Sequence, residues 1–236
     1  MVARQLDEQI AARFAVGRRL RVLDVGTGQG TQALRLARAG HRVTGLEADS
    51  AMLAAAREAL AAEPEGIRER VRLVHGDGRD TGVHFLPGAF DVVLCHGVLM
   101  YVEEPGPMLA GLARVLAPGG LLSLLVRNGD ALALRPGLGG DWAGALAAFD
   151  TPAYTNRLGL PGRADRLGVL TRSLAGISAP VQAWYGVRVF SDLAPDGAAV
   201  PGGSELEVLL AAEERAGRTD PYRGVAALLH LFGARA

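Results

Sequence analysis

The stretch Arg21-Val-Leu-Asp-Val-Gly-Thr-Gly-Gln-Gly30 decides the fold of this chain. A short apolar run typical of a buried strand surrounds Asp24, and glycines at alternating positions follow at once. Glycine adopts left-handed backbone angles and lets a ligand come close to the main chain, because it carries no Cβ atom. A strand that passes through such a loop into a helix predicts a nucleotide site in an α/β sheet.

The rest of the chain alternates between strand and helix patterns. We predict strands at Arg21–Val25, His41–Leu46, Val71–His75, Phe90–Leu94, Leu121–Val126, Val181–Phe190 and Ala227–Ala234. We predict helices over 3–16, Thr31–Ala39, Ser50–Ala62, Pro107–Leu116, Arg166–Ala175 and 204–216. The sequence Ala-Pro-Gly-Gly120 predicts a turn before the fifth strand. This alternation predicts one α/β domain, residues 1–236, with a doubly wound, Rossmann-like and mostly parallel sheet.

One segment departs from the alternation. Residues 128–165 are rich in glycine, proline, arginine and aromatic residues and show no clear period. A segment of this kind at the carboxyl edge of a sheet is typical of a substrate loop. We therefore predict that 128–176 forms an inserted lid over the substrate.

Composition narrows the function class. The 25 basic residues, all of them arginine, balance 25 acidic residues, so no overall field attracts nucleic acid, although a local patch remains open. The single cysteine, Cys95, excludes an internal disulfide and indicates a reducing compartment. No apolar run approaches the ~20 residues of a membrane span. We predict a cytoplasmic protein that is not bound to a membrane, and the sequence indicates no metal site.

Residues after the second and third strands complete the predicted nucleotide site. Glu47 ends the second strand roughly 20 residues beyond the glycine loop, where a carboxylate typically binds ribose hydroxyls. Met52 either flanks an adenine or belongs to the core. The segment Gly76-Asp77-Gly78-Arg79 has two interpretations. Either its carboxylate and free amides bind the edge of the adenine, or it is an ordinary Asp-Gly turn.

The glycine spacing leaves two cofactors open. The fingerprint of a nicotinamide dinucleotide, Gly-x-Gly-x-x-Gly or Ala, fails when read from Gly26 but passes when read from Gly28 with Ala33. Asp24 discriminates between them, because a carboxylate there repels a pyrophosphate but suits a ligand that carries a cation. We therefore favour a cationic cofactor.

These motifs resemble those of the class I S-adenosylmethionine-dependent methyltransferases. The resemblance rests on Val-Leu-Asp-Val-Gly-Thr-Gly-Gln-Gly30, Leu-Glu-Ala-Asp-Ser-Ala-Met-Leu53, Phe-Asp-Val-Val-Leu94 and Leu-Ala-Pro-Gly-Gly-Leu-Leu122. It implies a seven-stranded sheet whose last strand is antiparallel between its neighbours. It also implies S-adenosyl-L-methionine as cofactor, converted to S-adenosyl-L-homocysteine. The methionine ammonium would lie near Asp24 and the glycine loop, and the ribose at Glu47.

A narrower resemblance covers most of residues 20–230. The segments Cys95-His-Gly-Val-Leu-Met-Tyr-Val102, Trp-Tyr-Gly-Val-Arg-Val-Phe-Ser-Asp192 and Asp-Pro-Tyr-Arg223 are similar to a bacterial tRNA-modifying family. That family methylates the carboxylate of 5-carboxymethoxyuridine at the wobble position of tRNA. The resemblance adds Arg4, Thr27, Gly78, Arg79 and His96 to the expected cofactor-binding residues Asp24, Gly26, Gly28, Glu47, Met52 and Asp77.

Arginines after residue 126 are the candidates for binding the substrate. Bidentate arginine contacts orient a carboxylate, and a tyrosine can stack on a base. The predicted substrate-binding residues are Arg127, Tyr154, Arg157, Arg163 and Arg188. A carboxylate acceptor is ionised at neutral pH and needs no general base, so no catalytic residue is assigned. If the acceptor is a hydroxyl or an amine, His96 or Tyr101 is the candidate base.

Three functions remain open from the sequence. The first is a methyltransferase acting on tRNA, and the second is an O- or N-methyltransferase acting on a small molecule, such as a carboxylate-bearing acceptor. The third is a protein that binds S-adenosylmethionine without catalysis. The balanced charge favours a small molecule over RNA, whereas the narrower resemblance favours tRNA.

Overall fold

The computed structural model describes residues 1–156, 159–194, 199 and 201–236. Its helices are α1 (Val2–Arg13), α2 (Thr31–Arg38), α3 (Ser50–Ala61), α4 (Glu65–Arg68), α5 (Thr81–His84), α6 (Pro105–Val115), α7 (Leu134–Leu138), α8 (Trp142–Asp150), α9 (Leu167–Gly176) and α10 (Gly203–Ala216). Its strands are β1 (Arg21–Val25), β2 (Arg42–Glu47), β3 (Val71–His75), β4 (Phe90–His96), β5 (Leu116–Arg127), β6 (Ala153–Thr155), β7 (Pro161–Arg163), β8 (Val181–Val187) and β9 (Leu228–Ala234).

Seven strands form one sheet in the order β3-β2-β1-β4-β5-β9-β8. The five strands β1 to β5 pair in parallel, and β9 pairs antiparallel with β5 on one side and β8 on the other. This order confirms the predicted mostly parallel sheet with its last strand antiparallel between two neighbours.

Apolar layers cover both faces of the sheet, as the continuous apolar runs of a parallel sheet require. On one face α1 and α2 contribute Leu6 and Leu36, which are fully buried with Leu94 of β4. On the other face α6 and α9 contribute Leu112 and Leu174 to a larger cluster. Successive residues of β4 alternate between the two clusters, because side chains along a strand point to opposite faces.

Two predicted strand boundaries differ from the structure by three residues or more, each for a local backbone reason. The predicted turn before the fifth strand is a bulge inside β5: the pairing with β4 jumps from Phe90↔Leu116 to Val92↔Leu121, and Gly119 has φ +72°. The predicted strand Val181–Phe190 stops at Val187, because Arg188 adopts φ +63° and leaves the extended conformation.

The predicted lid range has two structurally different parts. Residues 134–150 form the helices α7 and α8, and β6 pairs antiparallel with β7 in a small hairpin. Helix α9, at the end of the range, buries Leu170 and Leu174 in the core beside the sheet. The first part is therefore the candidate lid, and α9 belongs to the sheet's helical layer. Among the helices described, none is long and apolar enough to cross a membrane.

The carboxyl ends of β1, β2, β3 and β4 meet at one edge of the sheet, because these strands are parallel neighbours. In sheets of this kind, ligands bind at that edge where the strand order reverses, which here is between β1 and β4. The segments that leave this edge are those for which the sequence predicted a cofactor.

Candidate active site

The glycine loop after β1 has left-handed backbone angles at alternating positions. Gly26, Gly28 and Gly30 have φ of +68°, +56° and +84°. A Cβ atom at Gly26 would lie 2.1 Å from Cγ2 of Val98, so the backbone there packs tightly against the loop after β4. A Cβ atom at Gly28 would meet nothing within 4 Å. The loop is thus closed against the protein at Gly26 and open to a ligand at Gly28.

Glu47, at the end of β2, is hydrogen-bonded to the open side of the glycine loop. Its Oε2 accepts a hydrogen bond from the amide of Gly28 at 2.7 Å, and its Oε1 accepts one from the amide of Asp49 at 3.0 Å. An ionised carboxylate offers about four acceptor positions, so both oxygens can also accept from a ligand's hydroxyl groups. This geometry fits the predicted ribose contact beside the loop.

Asp24 is a buried acid whose hydrogen-bond donors carry no charge. Its side chain lies at 3% relative exposure and accepts a hydrogen bond from Oγ1 of Thr27 at 2.8 Å. Burial, with a smaller contribution from the nearby charge of Glu47, raises the pKa of Asp24 to about 6. A cation beside Asp24 would oppose this rise, because an opposite charge favours the ionised form. The site therefore fits a ligand with an ammonium group.

Helix α3 places Met52 at the surface. Asp49 caps this helix, since its Oδ1 accepts hydrogen bonds from the amides of Ala51 and Met52. Met52 has 43% relative exposure. The interpretation of Met52 as a core residue is therefore wrong, and its contact with an adenine stays a prediction.

The segment after β3 is a turn closed by its own side chains. Asp77 accepts from the amide of Arg79 at 2.8 Å and from its guanidinium at 2.6 Å, and the Arg79 side-chain hydrogen bond is the main cause of a lowered Asp77 pKa. A Cβ at Gly78 would lie 2.6 Å from Cγ1 of Val25, so glycine allows this turn to approach β1. The Asp-Gly turn is confirmed, whereas adenine binding by Asp77, Gly78 and Arg79 stays a prediction.

His96 ends β4 next to the glycine loop. Its Nε2 lies 2.8 Å from Oγ of Ser123, and its Nδ1 is buried without a hydrogen-bond partner among the described residues. Burial, with a smaller contribution from Arg35, lowers the pKa of His96 to about 4. The other candidate base, Tyr101, is half-exposed and accepts a hydrogen bond from Nδ2 of Asn156 at 3.1 Å. The imidazole is thus neutral and a weak base at physiological pH.

Arg4 lies apart from the glycine loop's contacts. Its Nη1 is 3.1 Å from Oε2 of Glu214 in α10, and its side chain is 68% exposed. The structure therefore pairs Arg4 with α10 at the surface. Its role in binding the cofactor stays a prediction.

A second group of residues forms what we call the arginine cleft, of about 270 Å³. The cleft is lined by Met100, Arg127, Arg135, Tyr154, Thr155, Asn156, Arg188, Asp192 and Leu228. Met100 follows His96 closely in the chain, and Arg127 ends β5, so the cleft opens at the same edge of the sheet as the glycine loop.

Arginines in the cleft surround the carboxylate of Asp192, which is 9% exposed. Its oxygens lie 3.3 Å from Nη1 of Arg127 and 3.1 Å from Nη2 of Arg188. Nη1 of Arg135 is 4.0 Å from the same carboxylate and donates to the backbone carbonyl of Asp192 at 2.8 Å. Asp192 thus brings together guanidinium groups from β5, α7 and the segment after β8.

Tyr154 closes the cleft from the β6–β7 hairpin. The guanidinium carbon of Arg127 lies 5.6 Å from the centroid of the Tyr154 ring, and the phenol donates to the sulfur of Met100 at 3.1 Å. Nε of Arg127 is buried and has no hydrogen-bond partner in the described part of the chain. The predicted residues Arg127, Tyr154 and Arg188 are therefore brought together.

Of the two other predicted arginines, the structure describes only Arg163, which does not line the cleft. Arg163 lies at the base of the hairpin, where it donates to the carbonyl of Val102 at 3.2 Å and to Oδ1 of Asp165 at 2.7 Å. Its contacts are those of a structural residue, and its role in binding a substrate stays a prediction. Arg157 lies outside the described residues.

Sequence reasoning missed Arg135, Asp192, Ser123 and His230. Arg135 carries no local signal. Asp192 ends one of the motifs that carry the family resemblance, but only the fold brings it to the arginines. His230 did carry one, since it is a polar residue within an otherwise apolar strand, Leu228–Ala234. In the ranges that the structure describes, no group of three or more His, Cys, Asp or Glu residues is arranged to hold a metal ion.

Comparison with known proteins agrees with this geometry. Residues 23–124 match a family described as a methyltransferase domain. The tRNA 5-carboxymethoxyuridine methyltransferase of Escherichia coli K12 is 30% identical over 224 residues, which cover 90% of this chain and 79% of that protein. A ubiquinone biosynthesis O-methyltransferase of Sodalis glossinidius is 38% identical over 45% of this chain and 42% of its own.

A solved structure supports the fold independently. An S-adenosylmethionine-dependent methyltransferase from Mesorhizobium loti superposes with a TM-score of 0.66 over 97% of this chain and 96% of its own, at 19% identity. The cofactor is S-adenosylmethionine, which settles the choice that the glycine spacing left open. The chain belongs to the class I S-adenosylmethionine-dependent methyltransferases, in the family of the bacterial tRNA 5-carboxymethoxyuridine methyltransferase.

Proposed function

We propose that this enzyme methylates a carboxylate, and that the carboxylate belongs to 5-carboxymethoxyuridine in tRNA. The observation that carries the proposal is the arginine cleft, in which Arg127, Arg135 and Arg188 surround one carboxylate beside the cofactor edge. Guanidinium groups bind carboxylates in bidentate geometry. The name of the E. coli relative supplies the nucleoside.

Among the described residues, the candidate base His96 is weaker than a hydroxyl or amine acceptor would need. A hydroxyl or an amine loses a proton during methylation, and the candidate base His96 has a pKa lowered to about 4. A carboxylate has an ordinary pKa near 4 and is already ionised at neutral pH. The weakness of His96 as a base therefore favours a carboxylate acceptor.

The reaction needs orientation more than proton transfer. When bound, S-adenosylmethionine supplies an activated methyl group on a sulfonium. The acceptor oxygen forms a bond to the methyl carbon as the carbon–sulfur bond breaks, so the products are a methyl ester and S-adenosylhomocysteine, with no proton moved. The arginines would hold the carboxylate in line and exclude water from it.

Tyr154 and Arg127 offer a surface for the base that carries the carboxylate. The Tyr154 ring already has a guanidinium near one face, and stacking of bases on tyrosine or arginine is common in RNA recognition. We infer that the uracil lies near this pair while its carboxymethoxy group reaches the arginines.

Purified enzyme, tritiated S-adenosylmethionine and tRNA rich in 5-carboxymethoxyuridine test the proposal. We expect label in the wobble nucleoside, released as volatile methanol by mild alkali, because methyl esters hydrolyse there and N-methyl groups or methyl ethers do not. Label that resists alkali, or no label in tRNA, would contradict the proposal. Replacing the exposed Arg68, which precedes β3 at the opposite edge of the sheet, is the matched control for replacing Arg127.

A small acid is the second candidate acceptor. A mostly apolar pocket of about 190 Å³ adjoins the arginine cleft and shares Arg127, Arg135 and Arg188 with it, and Phe190 and Tyr222 contribute to its walls. Such a pocket suits a compact apolar acid, and the balanced charge of the chain gives RNA no general attraction. Binding of tRNA that weakens steeply with salt would favour RNA, whereas no measurable binding would favour the small acid.

A further inference from the structure

A chain of buried hydrogen bonds runs from α1 to His96. Oε1 of Gln5 lies 2.7 Å from Nδ1 of His230, and Nε2 of His230 lies 2.8 Å from Oγ of Ser123. The same Oγ lies 2.8 Å from Nε2 of His96. Gln5, Ser123 and His230 have relative exposures of 1%, 0% and 0%. We call these four residues the relay.

The sheet register places the relay on one face. His96 of β4 and His230 of β9 are both partners of Leu125 in β5, and Ser123 lies two residues earlier on the same face. Asp24 is the partner of Leu94, two residues before His96, so Asp24 shares this face as well. The relay thus ends on the neighbouring strand of the same face as the buried acid Asp24, two residues further along.

The orientation of the Gln5 carboxamide sets the direction of the relay. Its oxygen faces His230, and its nitrogen is buried without a hydrogen-bond partner among the described residues. A carboxamide oxygen only accepts, so in this orientation His230 donates from Nδ1 to Gln5. Burial lowers the pKa of His230 well below its usual range, so the ring is neutral and its Nε2 accepts from the hydroxyl of Ser123. Because that hydroxyl has one hydrogen, its oxygen accepts from Nε2–H of His96. A neutral His96 then has a bare lone pair on Nδ1.

We propose that Gln5, His230 and Ser123 are positioning residues, which hold His96 as the Nε2–H tautomer so that its Nδ1 accepts a hydrogen bond from the ammonium of the bound cofactor. Nδ1 of His96 is buried and has no partner among the described side chains, so an acceptor stands unused at this point. The ammonium has three N–H donors, enough for both Asp24 and His96. The inference concerns the cofactor alone and does not depend on the acceptor.

Titrations with two ligands distinguish the positioning of His96 toward the ammonium from a merely structural role of the relay. S-adenosylhomocysteine carries the ammonium, whereas methylthioadenosine has the adenosyl and thioether parts without it. Ser123→Ala breaks the relay at its centre. We expect affinity for S-adenosylhomocysteine to fall about tenfold, and affinity for methylthioadenosine to stay within about twofold, in calorimetric titrations. Ser123→Thr keeps the hydroxyl and should recover the affinity, and Ser173→Ala in α9 is the control.

The tautomer itself can be read by nitrogen NMR of the wild-type enzyme with S-adenosylhomocysteine bound. We expect His96 to carry its proton on Nε2. A proton on Nδ1 would overturn the proposal, and so would an equal loss of affinity for both ligands in Ser123→Ala. The wild-type spectrum decides the point even if that variant does not fold. A failure of methyl transfer to tRNA would leave this result unchanged.

Discussion

The cofactor site and the arginine cleft are built in different ways. In the cofactor site the backbone does the positioning: Gly28 opens the loop, and Glu47 at the next strand end accepts from its amide. In the arginine cleft, flexible side chains from distant elements meet at Asp192. The main chain sets the first arrangement, whereas the second, which we propose as the acceptor site, can change when a few side chains change. This difference explains how one fold serves many methyl acceptors.

The largest expected effect separates the two sites. Arg127→Ala should lower kcat/KM for the acceptor about a hundredfold to a thousandfold, because it removes a mostly buried guanidinium from a carboxylate site. The affinity for S-adenosylhomocysteine should stay within about twofold. Arg127→Lys keeps the charge without the fork and should recover part of the rate. Steady-state kinetics measures kcat/KM, and calorimetry measures the affinity for S-adenosylhomocysteine. A loss of cofactor affinity as large as the loss of kcat/KM would contradict the separation of the two sites.

The variant Asp24→Asn tests how much the buried, ionised carboxylate of Asp24 destabilises the folded protein. Burial raises the folded-state pKa of Asp24 to about 6, above its ordinary 3.8, so the folded protein binds the proton more tightly than the unfolded chain. The stabilisation that this tighter proton binding gives is therefore present below pH ~4 and is lost as the pH rises to about 6. At pH ~7 the variant should be more stable by up to ~3 kcal/mol and bind the cofactor more weakly.

Urea unfolding at several pH values measures this effect. The difference between wild type and Asp24→Asn should shrink as the pH falls toward ~3, below both pKa values, where Asp24 is mostly protonated in both states. A difference that does not vary with pH would show that Asp24 is not the group responsible.

Glu47→Ala should weaken S-adenosylhomocysteine binding roughly tenfold to a hundredfold, because it removes both the ribose acceptor and the partner of the Gly28 amide. Calorimetry gives the affinity, and Glu58→Ala on the exposed side of α3 is the control. If Glu47→Ala binds like the control, the ribose does not lie at β2.

The smallest expected effect concerns Met52. Because its side chain is largely exposed, Met52→Ala should change the free energy of unfolding by less than ~0.5 kcal/mol. A contact with the adenine would still lower cofactor affinity about threefold, as the loss of a small apolar contact does. Unchanged affinity for S-adenosylhomocysteine would remove Met52 from the cofactor site.

The sequence predicted the strands and loops that surround the candidate cofactor site well, because their signals are local. The glycines, Asp24 and Glu47 lie at strand ends that apolar runs locate within a residue or two. The predicted strand Val181–Phe190 was too long, since nothing in the sequence marks the left-handed backbone of Arg188.

The arginine cleft and the relay were harder to predict. Arg135 looks like any surface arginine until α7 brings it to Asp192, and Ser123 looks like a strand residue until His96 and His230 flank it. Such contacts depend on the order of strands and the path of connecting segments, which local patterns do not contain.

The central claim is that the arginine cleft presents a wobble carboxylate to S-adenosylmethionine. The most direct test of this claim is the analysis of tRNA nucleosides from a strain that lacks this gene. Mass spectrometry should find that 5-carboxymethoxyuridine accumulates and that its methyl ester is lost. Reintroducing the wild-type gene should restore the ester, and reintroducing the Arg127→Ala variant should not. An unchanged level of the methyl ester in the deletion strain would contradict the account.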